Sequence, residues 1–336
     1  MDWLPDLNSR DCSREAASDT GSHYSCMKSR RDCHRPADHL RDTEDPVPEG
    51  EHGGVLEGST GEDCGGSREA SGNTMIDSAH HEKSCLLVTI ITVVYNAEKT
   101  IRRTIESVLA QDYPAIEYLV IDGGSSDHTA EIARSYEDQF TEGRSLTVLS
   151  EPDHGMYDAL NKGARLAHGE IVGQINADDW YESDAVSRMV ELYQRTGFDM
   201  AYADLRMINP DGTSWIKKAK IDRFVNTRHW NHPTQFTRRE LLLEHPYPCE
   251  CMSDDLDLLL WLRSSGKHIE VLNEVIANFT VEGMSHSKSR EEIRDRIRTK
   301  TKIYHRYGYS FLHMIDVSLV EIGKFVLETG ARKKLQ

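Results

Sequence analysis

Residues 86–94 read LLVTIITVV, an uninterrupted run of apolar and threonine side chains that is rich in β-branched residues. Such a run predicts a strand that is buried on both faces, as in the parallel sheet of an α/β protein. The next apolar residues, from Ile101 to Leu109, recur at helical spacing, and Pro114 ends that helix. A second apolar strand is predicted at Ile116–Ile121, so the chain alternates between strand and helix.

The same alternation continues along the chain and predicts an α/β layer fold with a mostly parallel central sheet. The further predicted elements are a helix from Ser126 or Asp127 through about Phe140, strand Leu146–Ser150, helix Tyr157–Ala167, strands Glu170–Ile175 and Met200–Ile208, helix Asp254–Arg263, strands Ile269–Leu272 and Val275–Val281, and helices Ser289–Arg306 and Ser310–Leu327.

The first 84 residues differ in composition from the remainder. They hold seven Leu, Ile, Val or Phe, which is about 8 % and far below the roughly 20 % that a folded segment needs. We predict a disordered tail over residues 1–84, and we hypothesise that Met75 is an alternative start. Residues 85–285 are predicted to form the main domain, with halves 85–180 and 181–285, and residues 286–336 a helical C-terminal extension.

Charge and cysteine content narrow the class of protein. The chain carries 40 Lys plus Arg against 56 Asp plus Glu, a formal net charge of −16, which argues against a nucleic-acid binder. Seven cysteines without regular spacing indicate reduced thiols. Residues 1–30 contain no apolar run of the kind found in a signal peptide. These features predict a cytoplasmic protein.

Polar residues follow four of the predicted strands, at the edge where an open parallel sheet binds ligands. They are Tyr95 and Asn96, Asp122, Glu151 and Asp153, and the run from Asn176 to Asp179. Clustered carboxylates indicate a divalent metal, Mg²⁺ or Mn²⁺, that holds a phosphorylated ligand, because both ions prefer oxygen ligands. The alternative is that these residues only cap helices and turns. Neither a G-x-G-x-x-G turn after the first strand nor a P-loop is present.

Five motifs occur in a recognisable order. They are VTIITVVYN at 88–96, SVLAQDYP at 107–114, VIDGGSSD at 120–127, NKG at 161–163 and NADD at 176–179. Together they resemble the family 2 glycosyltransferases of GT-A fold, which have a Rossmann-like three-layer sandwich and use nucleotide-activated sugars. The run SEPDHGMYDALNKG at 150–163 is similar to the branch found in bacterial exopolysaccharide clusters, including colanic acid enzymes.

The resemblance implies a donor site for a nucleotide-sugar, expected to be UDP-linked. It implies base and ribose contacts at Val93, Tyr95 and Asp122, a donor-contacting carboxylate at Asp178, and a Mn²⁺ or Mg²⁺ ligand at Asp179. Asp153, at the third strand end, is placed among the donor-binding residues. The sequence departs from the family pattern at Asn176 and Gly123, where the family has acids, which weakens the expected contacts to uracil and ribose.

The resemblance also implies an acceptor side. His232 and Gln235 lie in HPTQF, which is similar to the family's His-Gln segment, and SDDLDL at 253–258 occupies the place of the catalytic acid. Asp255 is matched to the general base and Asp257 to the acid that follows it, while Asp254 and Asp257 remain alternatives for the base. The implied reaction is an inverting, metal-dependent sugar transfer to a glycan or a polyprenyl-diphosphate-linked acceptor. A sugar-phosphate nucleotidyltransferase and a non-catalytic nucleotide-sugar-binding homologue are the rival interpretations.

The C-terminal extension contains a segment of net positive charge, opposite in sign to the net charge of the whole chain. Residues 288–306 carry eight Lys or Arg against three acids, and residues 311–327 place apolar side chains near one helix face. Two interpretations stay open, namely packing on the main domain and peripheral contact of residues 288–327 with the inner face of the plasma membrane.

Overall fold

A computed structural model describes residues 85–281 and 289–334. The predicted disordered tail over residues 1–84 and the hypothesis of a start at Met75 lie outside the described residues. The described part begins with the apolar run that opens the sequence analysis.

The first half alternates strands and helices as the sequence predicts. Its elements are β1 (Val88–Val94), α1 (Ile101–Leu109), β2 (Ile116–Asp122), α2 (Thr129–Arg134), β3 (Ser145–Ser150), α3 (Met156–Leu166) and β4 (Ile171–Gln174). Every residue of β1 is buried, which explains its unbroken apolar and threonine composition.

The prediction that the second helix continues to about Phe140 is wrong. It ends at Arg134, and a short 3₁₀ turn covers Glu137–Gln139. The Ser135 hydroxyl donates to the Ile132 carbonyl over 2.6 Å, a local bond of the kind that competes with helix continuation.

The second half contains more antiparallel structure. Its elements are β5 (Trp180–Tyr181), α4 (Ala185–Thr196), β6 (Met200–Ile208), β7 (Ser214–Lys217), β8 (Phe236–Arg238), α5 (Arg239–Glu244), α6 (Asp254–Ser264) and β9 (Ile269–Thr280). The two strands predicted at Ile269–Leu272 and Val275–Val281 form the single strand β9. Its pairing with β6 is irregular at Ala203 and Asp204, and the polar, exposed Asn273 and Glu274 lie at that bulge.

All these strands join one sheet in the order β3-β2-β1-β4-β8-β6-β9-β5, with β7 beside β6. Strands β1 to β4 are mutually parallel, as is the β6–β9 pair. The pairs β4–β8, β6–β8, β6–β7 and β5–β9 are antiparallel. The prediction of a mostly parallel sheet therefore holds for the first half. The sheet as a whole is mixed, because a short connection returns β7 antiparallel to β6 and because β5 and β8 also run antiparallel to their neighbours.

Two apolar cores flank the sheet and make the fold three-layered. Alternate residues of β1 point to opposite cores, with Ile90 in the core beneath α1 and α4 and Ile91 in the core beneath α3 and α6. The architecture confirms the predicted α/β three-layer fold.

Two helices complete the described chain, α7 (Arg290–Arg306) and α8 (Phe311–Lys334). The Ser289 hydroxyl accepts from the Glu292 N–H over 3.1 Å, which caps the start of α7. No helix in residues 85–281 or 289–334 has the length and apolar content that a membrane crossing requires.

Candidate active site

The loops after β1 and β2 are tied together at the carboxyl edge of the sheet. Asn96 adopts a left-handed backbone conformation with φ of 50°, and its side-chain oxygen accepts from the Ser126 N–H over 2.9 Å. The Asn96 N–H in turn donates to the Ser125 hydroxyl over 2.8 Å. These bonds hold in place the loop that carries Tyr95, one of the predicted donor contacts.

Asp122 lies at this edge, fully buried. Its carboxylate accepts from the N–H and hydroxyl of Ser125 and from the hydroxyl of Ser150, the last over 2.6 Å. The side chain thus joins the ends of β2 and β3. Its neighbour among the predicted donor contacts, Val93, is 5 % exposed and its side chain packs in the core beneath α3.

Asp153 shapes the turn that leads into α3. Its carboxylate accepts from the Gly155 N–H over 2.8 Å, and the side chain is half-buried. Gly155 has a φ of 113°, a conformation that favours glycine, so the turn after β3 depends on both residues.

The Asp178–Asp179 pair follows β4 and contains the least satisfied carboxylate of this edge. Asp179 has no exposed surface; its Oδ1 accepts from the Thr280 N–H over 3.2 Å, and its Oδ2 has no hydrogen-bond partner among the residues that the structure describes. Burial, and then the charge of Asp178, raise the pKa of Asp179 well above its usual value. Burial also raises the pKa of the half-buried Asp178.

Arg103 is the cation beside this pair, and no pattern in the sequence selects it. Its guanidinium lies 3.7 Å from the centre of the Trp180 ring and donates to the Asp178 carbonyl over 2.7 Å. A further bond of 3.2 Å reaches the Thr280 hydroxyl. Its contacts come from residues far along the chain, so no local motif could distinguish Arg103 from the adjacent Arg102.

The carboxylates of Asp178 and Asp179 fit a divalent cation. Nowhere in residues 85–281 and 289–334 do three His, Cys, Asp or Glu side chains cluster as metal ligands. Mg²⁺, however, is commonly held by one or two carboxylates together with substrate phosphates and water. The unpartnered Oδ2 of Asp179 is a hard oxygen donor of the required kind. Because Asp179 has no exposed surface, a cation reaches it only after neighbouring side chains move.

Three acids lie in the first turn of α6, and they differ in burial and in hydrogen-bond partners. Asp254 is buried, and its carboxylate accepts from the Glu250 N–H over 2.7 Å and the Cys251 N–H over 3.1 Å. Asp257 is also buried and binds His245 and Tyr307, over 2.8 and 2.7 Å, and Arg306. Asp255 alone of the three stays partly exposed, with its Oδ1 accepting from the Leu256 N–H over 2.8 Å.

His232 lies close enough to Asp255 for the two to interact electrostatically. Burial lowers the pKa of His232, and the negative charge of Asp255 opposes that shift in part. The Nε2 atom of His232 is buried, and within the described ranges no donor or acceptor meets it. The structure therefore brings together His232 and Asp255, which are 23 positions apart in the sequence.

Unlike the partly exposed Asp255, Gln235 and Asp257 are almost completely buried. Gln235 is 1 % exposed, and its side chain binds the Trp230 indole N–H and the Thr237 hydroxyl over 3.2 and 3.0 Å. Asp257 joins α6 to α7 through Arg306. In this structure both side chains hold neighbouring segments together, and an acceptor-side role for either stays a prediction.

The comparison with known proteins concerns most of the region just described. A family model described as "Glycosyl transferase family 2" matches residues 89–253. This region is a family 2 glycosyltransferase domain. The match confirms the family that the ordered motifs resemble.

Curated relatives agree with this assignment. A PGL/p-HBAD biosynthesis glycosyltransferase of Mycobacterium bovis is 29 % identical over 157 residues, which are 46 % of this chain and 60 % of that protein. The putative teichuronic acid biosynthesis glycosyltransferase TuaG of Bacillus subtilis is 29 % identical over 140 residues, 42 % of this chain and 52 % of that protein. The chain thus spans 60 % or less of the length of these relatives.

Solved structures share the fold at low identity. TarS of S. aureus in complex with UDP-GlcNAc has a TM-score of 0.55 and 20 % identity, covering 71 % of this chain and 72 % of that one. The mannosyltransferase PcManGT of Pyrobaculum calidifontis, in complex with GDP-Man and Mn²⁺, has a TM-score of 0.51 and 18 % identity, covering 76 % and 82 %. These similarities confirm the predicted GT-A type of architecture.

Proposed function

We propose that this chain is an inverting, metal-dependent glycosyltransferase that moves a sugar from a nucleotide-diphosphate-sugar to a glycan or lipid-linked hydroxyl, in surface or exopolysaccharide synthesis. The observation that carries the proposal is the difference among the acids of α6. Asp254 and Asp257 are buried and accept hydrogen bonds from several donors, whereas Asp255 keeps a partly exposed carboxylate beside His232.

The donor end of the site would be formed by the carboxyl edge of β1 to β4. Tyr95 and Asp153 lie on the loops that follow β1 and β3, and Asp122 fixes the geometry of the loop between them. Asp178 and Asp179 would hold Mn²⁺ or Mg²⁺, which when bound supplies positive charge to the diphosphate leaving group. Arg103 adds a permanent positive charge beside those two carboxylates.

At the acceptor end, Asp255 would act as the general base. Its carboxylate takes the proton of the acceptor hydroxyl as that oxygen attacks the anomeric carbon on the face opposite the leaving diphosphate. A single displacement of this kind inverts the anomeric configuration. Burial lowers the pKa of His232, which disfavours a cationic imidazole beside Asp255.

The donor is proposed to be UDP-linked and the acceptor a glycan or a polyprenyl-diphosphate-linked sugar. TarS was solved with UDP-GlcNAc and PcManGT with GDP-Man, so both nucleotides deserve a test. A thermal-shift screen of UDP- and GDP-sugars, with and without Mn²⁺, would identify the donor, since a ligand that binds only the folded state raises its stability.

Substitution of the base tests the proposal directly. Asp255→Asn is expected to leave donor affinity unchanged and to lower turnover by about 10²–10⁴, the usual contribution of a general base. Full turnover in that variant would refute the assignment. Donor binding without transfer or donor hydrolysis in the wild-type chain would instead favour the non-catalytic homologue. The match to family 2 argues against the sugar-phosphate nucleotidyltransferase.

A further inference from the structure

The exposed apolar side chains of the described chain are concentrated in two segments. Of the thirteen large apolar side chains that are exposed in residues 85–281 and 289–326, ten lie either in residues 215–224 or in residues 311–326. Monomeric proteins tolerate scattered exposed apolar residues, whereas a concentration of them indicates a contact surface.

Helix α8 buries Val317 in the core beneath α3 and α6 but also exposes apolar side chains to solvent. The residues described between Phe311 and Val326 that are more than 40 % exposed are all apolar: Phe311, Leu312, Ile315, Leu319, Ile322 and Val326. The two acids of this stretch point toward the protein instead. Asp316 pairs with Arg228, and Glu321, 2 % exposed, pairs with Lys300 over 2.6 Å. Helices in water normally show the opposite arrangement.

The second segment meets the beginning of α8. The Phe224 ring stacks on His313 with 4.0 Å between ring centres and 3° between ring planes. Trp215, Ile216 and Ile221 precede it, with exposures of 47, 47 and 40 %. The two segments therefore meet at Phe224 and His313, and we call residues 215–224 and 311–326 together the apolar face.

Cations are exposed in the first segment of the apolar face and on the helix that packs against the second. Lys218, Lys220, Arg223 and Arg228 are exposed in and just after the first segment. Three of them also pair with an acid of the chain: Lys218 with Asp204, Lys220 with Asp222 and Arg228 with Asp316. Helix α7, which packs against α8, exposes Arg290, Arg294 and Arg298 at four-residue spacing. These cations give the first segment and α7 a local positive charge, although the chain as a whole has a net charge of −16.

We propose that the apolar face docks on an anionic lipid surface. Aromatic and aliphatic side chains flanked by Lys and Arg match the acyl and headgroup layers of such a surface. A symmetric contact with a second copy fits less well, because a two-fold interface brings the cations of one copy against those of the other. The proposal goes beyond the proposed sugar transfer and extends the predicted contact of residues 288–327 to residues 215–224.

The test is sedimentation of the full chain with vesicles of phosphatidylcholine containing about one third phosphatidylglycerol, without donor or acceptor. We expect binding that weakens as salt rises and is lost on pure phosphatidylcholine. Leu312→Gln with Leu319→Gln should lower the partition coefficient about tenfold or more, because each leucine loses its apolar contact. The matched control is Leu166→Gln with Leu243→Gln, two exposed leucines outside the face, which should change it less than about twofold.

The cations of the first segment have their own variant. Lys220→Gln with Arg223→Gln should lower the partition coefficient for the anionic vesicles about tenfold or more. Each Lys or Arg near an anionic surface raises that coefficient about fivefold. Circular dichroism and Tm confirm that each variant is folded. Absence of vesicle binding overturns the proposal, as does equal binding by the face variant and its control. A dimer that the Leu312→Gln, Leu319→Gln variant loses, without vesicle binding, would assign the face to a second copy. None of these outcomes bears on sugar transfer.

Discussion

Arg103 stacks on Trp180, with its guanidinium carbon 3.7 Å from the ring centre, and lies beside the carboxylates of Asp178 and Asp179. The cation therefore occupies the neighbourhood that we assign to a divalent metal. Burial lowers the pKa of Arg103, and the charges of both acids oppose that shift, so the group stays positively charged at neutral pH.

This arrangement predicts opposite effects of Arg103→Met on two ligands. Mn²⁺ alone should bind about fivefold more tightly or better, because a positive charge next to its carboxylate ligands is removed. The nucleotide-sugar should bind more weakly, because its diphosphate loses a cation. Mn²⁺ titration followed by electron paramagnetic resonance, together with calorimetry of the nucleotide, measures both.

Arg102→Met is the control for this variant. Arg102 is the adjacent residue on α1, but its guanidinium donates to the Tyr136 hydroxyl over 2.7 Å rather than to the Asp178 region. The metal assignment would be contradicted if Arg103→Met and Arg102→Met had the same effect on Mn²⁺ affinity.

The burial of Asp179 predicts that the folding stability of the metal-free chain depends on pH. Because the pKa of this buried carboxyl is raised in the folded state, the stabilising form is the protonated one. Its contribution is complete below the unfolded value near 4 and is lost as pH rises through the folded value. Mn²⁺ should restore stability at neutral pH by neutralising the carboxylate.

Asp179→Asn should remove that dependence. In EDTA at pH 7 the variant is expected to have a Tm at least about 2–4 °C above the wild-type chain, since about 1 kcal/mol or more of desolvation cost disappears. Mn²⁺ should no longer raise its Tm. Asp138→Asn, at an exposed acid on the 3₁₀ turn, is the control and should behave as wild type. A Tm of Asp179→Asn below that of wild type in EDTA would show that the carboxylate is satisfied without metal.

Asp257 is predicted to be a stabilising group rather than a reacting one. Burial opposes its ionisation, but hydrogen bonds from His245 and Tyr307 and the charge of Arg306 outweigh burial and lower the pKa of Asp257. Its contribution to stability is therefore present above the unfolded value near 4 and is lost as pH falls.

Asp257→Asn should reduce the free energy of unfolding by about 2–4 kcal/mol, because Arg306 keeps only Glu250 as a charged partner and the hydrogen bonds of His245 and Tyr307 lose their charged acceptor. Urea unfolding at pH 7 measures this value. Asp255→Asn, two residues earlier on the same helix, should change stability by less than about 0.5 kcal/mol. Unchanged stability of Asp257→Asn combined with lost transfer would move the base from Asp255 to Asp257.

The sequence predicts the first half of the fold well, because β1 and β2 are buried on both faces and read as unbroken apolar runs. It divides β9 in two, because Asn273 and Glu274 are exposed at a bulge in the middle of that strand. Local sequence does not show which acid of α6 is buried and paired and which remains accessible. The difference depends on partners such as Arg306, 49 positions from Asp257, and no periodicity reports such a contact. Arg103 was missed for the same reason, since Thr280 is 177 positions away.

The His232–Asp255 contact gives a prediction that is independent of turnover. Burial lowers the pKa of His232 and Asp255 raises it in part, so removal of the Asp255 charge should lower the pKa of His232 further. Nuclear magnetic resonance of the chain labelled with ¹³C-histidine, with the His232 signal assigned by its loss in His232→Gln, should show a pKa of His232 below its usual value. In Asp255→Asn the pKa of His232 should fall further, whereas Glu151→Gln, at an exposed acid after β3, should leave it unchanged. An unshifted midpoint in Asp255→Asn would mean that the two groups do not interact in solution, and the acceptor end of the site would need another base.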